Sequence, residues 1–471
     1  MQQLSGLDAA FLYLETGQMP MHIGSLAIYD QSTAPGGKVG FKDILRFYQQ
    51  RLHTARAFRR RAVHVPLEFD HPYWIEDPEF NLEYHIRHIA LPKPGDWRQL
   101  CIQTARLHAR PLDSSKPLWE AWVIEGLDNV AGVPPGSFAV VSKFHHAAVD
   151  GVSAAEIASA FHGLTPEVEP GDAVPDWQPE GHPTRMGLLG RSAVRSIRQP
   201  LDMAKFALRN IPAAARVGKG VVTGDFGLQL KVPRTRFNDN VSAHRVFDGR
   251  SFPLDKIRAM KNAVPGATVN DVVVSICGGA LRRYLLEKNE LPEESLVAMA
   301  PVSARPDSQR GAEGNQVTTM SLPVGSDFAA PLERLAAVTE ASRRAKKLTA
   351  TIGPSLAADA AQFLPSMTTG LLARAYGRSG LARRLPLFYN LIITNVPGAQ
   401  QPLYSMGSRM VAIYGLGPVA HGLGLFQPVV SYNGKVMISA VSCREIMPDP
   451  SFYCQCLDDS YAATAAATSV V

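Results

Sequence analysis

Cysteine and charge are scarce in this chain. Five of its 471 residues are cysteine and 19% are charged. The cysteines form no metal-ligand spacing and no even framework; they are Cys101, Cys277, Cys443, Cys454 and Cys456. Such cysteine usage favours a reducing compartment, so we expect a cytoplasmic protein with buried thiols.

Targeting and membrane-spanning signals are missing too. Met1 to Ala10 contains neither a basic region nor an apolar run, so we expect no secretory signal. Val411 to Gly434 carries no charged residue, but its five glycines, together with Pro418 and Pro428, argue against a spanning helix. We expect strands and turns around a buried site there.

Several catalytic signatures are also lacking. The chain has no GxxxxGK[ST] or GxGxxG loop for a nucleotide and no GxSxG turn for a serine nucleophile. These absences disfavour nucleotide-dependent enzymes and serine esterases. We expect no cofactor and no metal site.

The overall composition indicates a globular protein. Hydrophobic residues make up 46% of the chain, which excludes a disordered protein, and 471 residues exceed one ordinary core, which predicts two domains. The net charge of +6 suits an anionic partner. Nucleic acid would be such a partner, but no nucleic-acid-binding motif is present, so we expect none.

The most informative stretch is Ser142 to Gly151, with the sequence SKFHHAAVDG. The residues from Gly136 to Phe144 are apolar and β-prone, and Asp150-Gly151 is a turn pair followed by helix-start signals. Two adjacent histidines, His145 and His146, therefore lie at the carboxyl end of a strand. A strand end holds side chains rigidly and the turn exposes them, as catalysis requires.

The two histidines should differ in role because adjacent strand residues point to opposite faces. His146 shares a face with Phe138, Val140 and Phe144 and should face an apolar space, while His145 should serve the structure. A neutral imidazole can take a proton from a hydroxyl or thiol, since its ordinary pKa lies near neutrality. If only the pair of histidines is considered, the simpler interpretation is that both are structural residues at the strand end whose hydrogen bonds are made within the protein.

The spacing from the histidines to Asp150-Gly151 resembles the HHxxxDG signature of CoA-dependent acyltransferases. The longer sequence looks like the bacterial wax ester synthase/diacylglycerol acyltransferases. Further motifs follow in that family's order: Leu4–Asp8, Pro20–Gly24, Pro117–Glu120, Asn270-Asp271, Pro301–Arg305 and Thr394–Gly398. The resemblance covers nearly the whole chain, and its motifs together are specific.

This resemblance implies an α/β (α+β) fold of two chloramphenicol-acetyltransferase-like domains with a substrate tunnel between them. We expect an N-terminal acyltransferase domain at residues 1–165, a linker with amphipathic crossover helices at 166–235, and a C-terminal acyltransferase-like domain at 236–471. It also implies transfer of a long-chain acyl group from acyl-CoA to diacylglycerol or a fatty alcohol, which makes triacylglycerol or wax ester.

The resemblance also assigns roles within the signature. His146 would be the general base, with His145 beside it, and Asp150 and Gly151 would complete the motif. Asp150 would point away from substrate and pair with an arginine, for which Arg305 is our candidate; a plain turn is the alternative.

Other candidate contacts lie in the later motifs. Asn270, Asp271, Ser303, Arg305 and Asn395 could meet the oxyanion or the substrate. For Asn270 the alternative is an N-cap of the helix predicted at Asp271 to Leu286.

Basic segments raise the question of a lipid surface. Met186 to Lys219 mixes basic with apolar residues and is broken by Pro200 and Pro212. It would either lie on an anionic membrane or lipid droplet, peripheral to the inner membrane, or cross between domains. The clusters at Arg343–Lys347 and Arg383-Arg384 would be solvated or would meet CoA phosphates or lipid. The sequence does not decide whether the protein forms a homodimer.

Three other interpretations have less support. Plant-type relatives carry DFGWG late in the chain, and Asp225–Gly227 is only a misplaced part of it. A condensation-type transferase acting on another hydroxyl or an amine would normally accompany a carrier-protein segment, which is missing. A non-catalytic lipid-surface protein would not need the intact histidine signature, and a thiol-release assay separates it from an enzyme.

Overall fold

A computed structural model of the chain describes residues 1–149, 157–168, 181, 183–193, 205, 232–303, 317–352 and 386–470. Three features noted in the sequence lie outside the described residues: most of the predicted crossover at 166–235, the Asp225–Gly227 string and Arg383-Arg384. In chain order the strands are β1 (Gln2–Gln3), β2 (His22–Asp30), β3 (Arg60–Val63), β4 (Tyr73–Glu76), β5 (Ile86–Ala90), β6 (Trp119–Glu125), β7 (Phe138–His145), β8 (Arg245–Pro253), β9 (Val297–Ser303), β10 (Val317–Pro323), β11 (Leu391–Pro397), β12 (Tyr404–Ser405), β13 (Ser408–Leu416), β14 (Phe426–Tyr432) and β15 (Lys435–Cys443). The α-helices are α1 (Gly6–Leu14), α2 (Phe41–Gln49), α3 (Leu82–His85), α4 (Trp97–Ala109), α5 (Leu254–Met260), α6 (Val269–Glu287), α7 (Pro331–Ile352) and α8 (Pro450–Ala467).

The histidine-bearing strand β7 lies inside a six-stranded sheet with the order β12-β13-β2-β7-β6-β5. Its neighbours β2 and β6 both run antiparallel to it, which confirms the strands predicted around His145. Gly24 on β2 stands opposite Lys143, and a Cβ at Gly24 would collide with the carbonyl oxygen of Ser142. Glycine at this position therefore permits the close approach of β2 to β7.

A second six-stranded sheet has the order β10-β9-β11-β14-β15-β8, and β1, β4 and β3 form a small third sheet. In the second sheet β11 runs parallel to both of its neighbours, β9 and β14. The other neighbouring strands of this sheet are antiparallel. The mixed α/β organisation predicted from the sequence is confirmed.

The two large sheets have no strand in common but share one core. The chain returns late to the first sheet, because β12 and β13 complete its edge beside β2. Helix α4 packs on β8, where the Trp97 indole donates a hydrogen bond of 2.8 Å to Asp248. One apolar cluster includes residues of both sheets, among them Leu26 and Ile438. The division of the chain near residues 165 and 236 stays a prediction.

Two local features complete the fold. Helix α2 ends at Gln49 and the chain continues as short 3₁₀ turns. Strand β15 is followed by helix α8. The five cysteines are buried and free, as expected. Among the described helices none has the length and apolarity needed to cross a bilayer.

Candidate active site

Backbone hydrogen bonds hold both histidines in place at the end of β7. The His145 N–H donates to Leu118 O at 2.9 Å, and the His146 N–H donates to Met21 O at 2.9 Å. These bonds run to opposite sides, toward β6 and β2. Strand β7 ends at His145, and His146 begins a turn in which the Ala148 N–H donates to His145 O at 2.9 Å. The two side chains have different neighbours: His145 lies near Glu15 and His146 lies against Phe11.

The His146 imidazole lies flat against an aromatic ring. Its ring centroid is 4.0 Å from that of Phe11 on α1, and the ring planes differ by 8°. His146 is half-buried, and desolvation, helped by the nearby His145, lowers its pKa below the ordinary 6.5. The imidazole is therefore neutral at neutral pH, the state that a general base requires.

His145 is fully buried and held by its own contacts. The Ala147 N–H donates to His145 Nδ1 at 3.1 Å, which leaves the ring proton on Nε2, 3.4 Å from Glu15 Oε2. The other Glu15 oxygen accepts the Met21 N–H at 3.2 Å. His145 thus accepts a hydrogen bond from the backbone and lies close to the Glu15 carboxylate, contacts that suit a structural residue.

Two further histidines near His145 are buried, and one of them, His22, belongs to the Pro20–Gly24 motif, while His108 belongs to no motif. His22 pairs with His145 across the strands, and its Nε2 lies 2.9 Å from His108 O. The His108 Nε2 in turn lies 3.0 Å from Gly417 O. Burial lowers the pKa of His22 and brings that of His108 to about 3, so both rings are neutral.

Trp119 of the Pro117–Glu120 motif is a structural residue. It is 1% exposed, and its indole donates to Phe58 O at 2.9 Å. His85 stacks on it with ring centroids 4.5 Å apart. The motif thus fixes β6 beside the histidine strand.

The second set of candidates gathers at the start of α6, where the structure excludes the capping alternative for Asn270. The N-cap of α6 is Thr268, whose hydroxyl accepts the Asp271 N–H, so Asn270 does not cap the helix. The Asp271 carboxylate turns back to accept from the Thr268 N–H and hydroxyl at 2.9 and 2.8 Å. Asp271 is 1% exposed and serves this capping box.

The Asn270 side chain does not cap the helix and instead contacts Asn395 at the end of β11. The Asn395 Nδ2 donates to Asn270 Oδ1 at 3.0 Å, although 125 positions separate them in the chain. Both line a cavity of about 570 Å³ between the second sheet and helices α5, α6 and α7. Its polar lining also includes Arg258, Lys346 and Gln400.

The remaining candidates have little or no described geometry. Asp150, Gly151 and Arg305 lie outside the described residues, so their proposed pairing stays a prediction. Ser303 pairs with Val317 in the backbone of β9 and β10, and its side chain is not among those described. Among the described side chains, no three His, Cys, Asp or Glu groups lie close enough together to hold a metal ion.

Three residues were not predicted from the sequence: Phe11, Glu15 and Arg258. Phe11 and Glu15 follow soon after the Leu4–Asp8 motif, which was a usable signal. Arg258 has no local signal that separates it from other surface cations, whereas Lys346 belongs to the basic cluster Arg343–Lys347 that the sequence had indicated.

Two mixed sheets with a histidine pair at the end of an inner strand define the two-domain CoA-dependent acyltransferase fold. A solved wax ester synthase/diacylglycerol acyltransferase from Marinobacter aquaeolei VT8 matches with a TM-score of 0.70 and 26% identity, over 99% of this chain and 100% of that one. A trichothecene 15-O-acetyltransferase from Fusarium sporotrichioides, at 12% identity and a TM-score of 0.60 over 98% and 94% of the two chains, shares the fold.

Family models give the same result. The wax ester synthase/diacylglycerol acyltransferase catalytic domain matches residues 4–273, and the family's C-terminal domain matches residues 313–464. The chain belongs to this family and is an acyltransferase.

Relatives in Mycobacterium tuberculosis are similar along nearly their whole length. One protein of strain H37Rv, provisionally named a diacylglycerol O-acyltransferase, is 35% identical over 462 residues, covering 95% of this chain and 87% of the relative. Another of the same strain and provisional name is 33% identical over 453 residues, covering 94% and 93%.

Proposed function

We propose that the enzyme transfers a long-chain acyl group from acyl-CoA to the hydroxyl of diacylglycerol or a fatty alcohol, with His146 as general base. The His146 imidazole takes the hydroxyl proton while the oxygen attacks the thioester carbonyl. The tetrahedral oxyanion then collapses, the C–S bond breaks, and the proton passes to the CoA sulfur. The products are triacylglycerol or wax ester and free CoA.

The observation that carries this proposal is the difference between the two adjacent rings. His146 is half-buried, is neutral because its pKa is lowered, and lies flat on Phe11. His145 is completely buried, with Nδ1 occupied by the Ala147 N–H and Nε2 directed at Glu15. Solvent and substrate can therefore reach His146 but not His145.

The reaction would take place in a tunnel between the two sheets. His146 lies at the end of a first-sheet strand, and the Asn270–Asn395 pair lines a cavity on the second sheet. We expect a substrate that contacts both to lie between the sheets. Asn270 is then placed to contribute a donor to the oxyanion, as such catalysis requires.

The decisive experiment offers one labelled donor to competing acceptors. Palmitoyl-CoA is incubated with equal amounts of dipalmitoylglycerol and hexadecanol, thiol release is followed, and triacylglycerol is separated from wax ester. We expect thiol release that requires an acceptor and produces one or both esters. An ester formed only with an amine acceptor would favour the condensation-type alternative, and no thiol release with any acceptor would favour a non-catalytic lipid-surface protein.

We also infer that the protein associates peripherally with anionic membranes or lipid droplets. Leu67, Phe69 and Met186 are large apolar side chains with exposures of 78%, 54% and 79%. They flank Val65 and Leu188, which pack in one small buried cluster, so the three exposed side chains lie around the same point. The net charge of +6 adds attraction to anionic headgroups.

Liposome sedimentation tests this association. We expect binding to phosphatidylglycerol vesicles at low salt that weakens at higher salt, because screening acts over about 10 Å at about 0.1 M. Replacing both Leu67 and Phe69 with Ser should reduce it, whereas Phe388→Ser, a control at an apolar side chain outside this cluster with 73% exposure, should not. A wild-type protein that stays in the supernatant at low salt would rule the association out.

A further inference from the structure

Helix α4 contacts both large sheets, one at each of its ends. At its start the Trp97 indole donates to Asp248 of β8, in the second sheet, at 2.8 Å. At its other end two backbone oxygens, His108 O and Arg110 O, accept hydrogen bonds from side chains of the first sheet. The last carbonyls of a helix have no partner within the helix, so groups from outside it must satisfy them.

Two completely buried side chains of the first sheet hold this end of α4. His22 on β2 donates from Nε2 to His108 O at 2.9 Å. Lys143 on β7 donates to Arg110 O at 2.9 Å, and its positive charge suits the negative end of the helix dipole. Strands β2 and β7 are thus joined to α4 at the same place.

His22 is also the cross-strand neighbour of His145. The two residues face each other in the register of β2 and β7, and the His145 N–H bonds to Leu118 O on the other side. A pair of opposite residues without mutual backbone hydrogen bonds brings its two side chains close together on one face of the sheet. The position of His22 therefore affects His145 and the turn that His145 holds through the Ala147 N–H.

His108 continues the contact toward the second sheet. Its Nε2 donates to Gly417 O at 3.0 Å. Gly417 begins the loop that leads from β13 in the first sheet to β14 in the second. A Cβ at Gly417 would collide with the Phe426 ring at the start of β14, so this glycine permits the loop to pack directly on that strand. The carbonyl that His108 binds is therefore held by the second sheet.

We propose that His22 and His108 are positioning residues that align His146 on the first sheet with the second-sheet part of the active site. This inference rests on the proposed reaction between the two sheets. Both side chains are too deeply buried to touch substrate, with exposures of 0% and 2%. The connection runs from His145 by cross-strand pairing to His22, and by two hydrogen bonds through the end of α4 to Gly417.

A purely stabilising role is the alternative for these two histidines. Each ring leaves its Nδ1 buried and without a partner in the part of the chain that the structure describes, and such an atom costs stability. An apolar residue would avoid this cost, so stability alone does not account for histidine at both positions. The Nε2–H donors do account for it, because each binds one backbone carbonyl that joins the two sheets.

Amide substitutions separate alignment from stability. Gln can place its side-chain nitrogen where histidine has Nε2, whereas the shorter Asn reaches only the position of Nδ1. His108→Gln should keep kcat within about threefold of wild type, and His108→Asn should lower kcat about tenfold or more, since small misplacements of reacting groups are costly. His22→Gln and His22→Asn should follow the same order. The KM for palmitoyl-CoA should change less than about twofold in all four variants, because alignment matters mainly in the transition state.

His85→Gln is the matched control. His85 is also completely buried, and its Nδ1 donates to Trp119 O at 2.7 Å, a bond that Gln cannot reproduce. We expect a lower melting temperature but a kcat within about twofold of wild type, measured well below that temperature. A His85→Gln variant that loses as much kcat as His108→Asn, or a His108→Asn variant that keeps wild-type kcat, would overturn the proposal.

Hydrogen exchange of the backbone amides gives a readout that needs no substrate. His108→Asn removes the hydrogen bond to Gly417, so exchange in the loop after Gly417 should become faster. The N–H groups of Ala147 and Ala148, which bond to His145, should also exchange at least about threefold faster, because the connection ends there. Faster exchange near Gly417 alone would indicate a local structural role and would overturn the proposal.

The same data separate this inference from the proposed function. If wild type releases no thiol from palmitoyl-CoA with any acceptor but His108→Asn speeds exchange at both ends, the proposed reaction fails and the alignment stands. If thiol is released normally and His108→Asn keeps wild-type kcat, the reaction stands and the alignment fails.

Discussion

Phe11 lies parallel to His146, with 4.0 Å between the ring centroids and 8° between the planes. A helix near the amino terminus thus fixes the orientation of an imidazole that lies 135 positions later in the chain.

Removing this stack should slow the reaction without abolishing it. We expect Phe11→Ala to lower kcat/KM about 3- to 10-fold, because aromatic pairs contribute about 0.5–1.5 kcal/mol beyond their burial. Phe11→Tyr keeps an aromatic ring and should stay near the wild-type value. If Phe11→Ala folds normally and keeps full kcat/KM, the ring does not orient His146.

The pH profile should report the lowered pKa of His146. The base form of the imidazole predominates above its pKa, which burial places below 6.5. We therefore expect kcat/KM to stay level as pH falls from about 8 to about 6.5 and to decline only below that, approaching tenfold per pH unit. A midpoint of the acid limb at or above pH 7, with the protein still folded, would be incompatible with this environment for the base.

Glu15 should act through the structure and not in the chemistry. Glu15→Gln keeps an oxygen that can accept the Met21 N–H but removes the charge 3.4 Å from His145 Nε2. We expect a lower melting temperature and a loss of kcat much smaller than that caused by removing His146. A variant with unchanged melting temperature and no turnover would instead indicate that Glu15 and His145 form a catalytic pair.

Thr268 and Asn270 should separate stability from activity. Thr268→Ala removes the N-cap of α6 and should lower the free energy of unfolding by about 1 kcal/mol. Asn270→Ala removes no cap, so its effect on unfolding should be smaller, while its effect on turnover or CoA binding should be larger. Denaturant unfolding and steady-state kinetics of the two variants, measured side by side, check this order. Greater destabilisation by Asn270→Ala would restore the capping interpretation.

Much of this architecture could be predicted because it is local. The apolar, β-prone residues before His145 predict β7, and strand alternation alone predicts that the two histidines face opposite ways. Helix α6 was predicted, but its start was placed two residues too late. Thr268 and Asn270 are both good capping residues, and only the folded helix shows which of them accepts the N–H of Asp271.

The rest depends on contacts between distant parts of the chain. The approach of Glu15 to His145 and of Asn395 to Asn270 leaves no periodic signal, since 130 and 125 positions separate the partners. The joining of β13 to β2 in the first sheet likewise depends on where the late strands fold back.

The proposed reaction depends on His146 as the general base, and its most direct test compares the two histidine variants. Thiol release from palmitoyl-CoA with a saturating acceptor is measured for His146→Ala and His145→Ala, together with acyl-CoA affinity and melting temperature. We predict that His146→Ala loses about 10²–10⁴-fold in turnover while it still folds and binds acyl-CoA. His145→Ala should lose mainly thermal stability, because its imidazole is completely buried and bonded. A stable but inactive His145→Ala beside a His146→Ala that keeps substantial turnover would contradict the account and reverse the two roles.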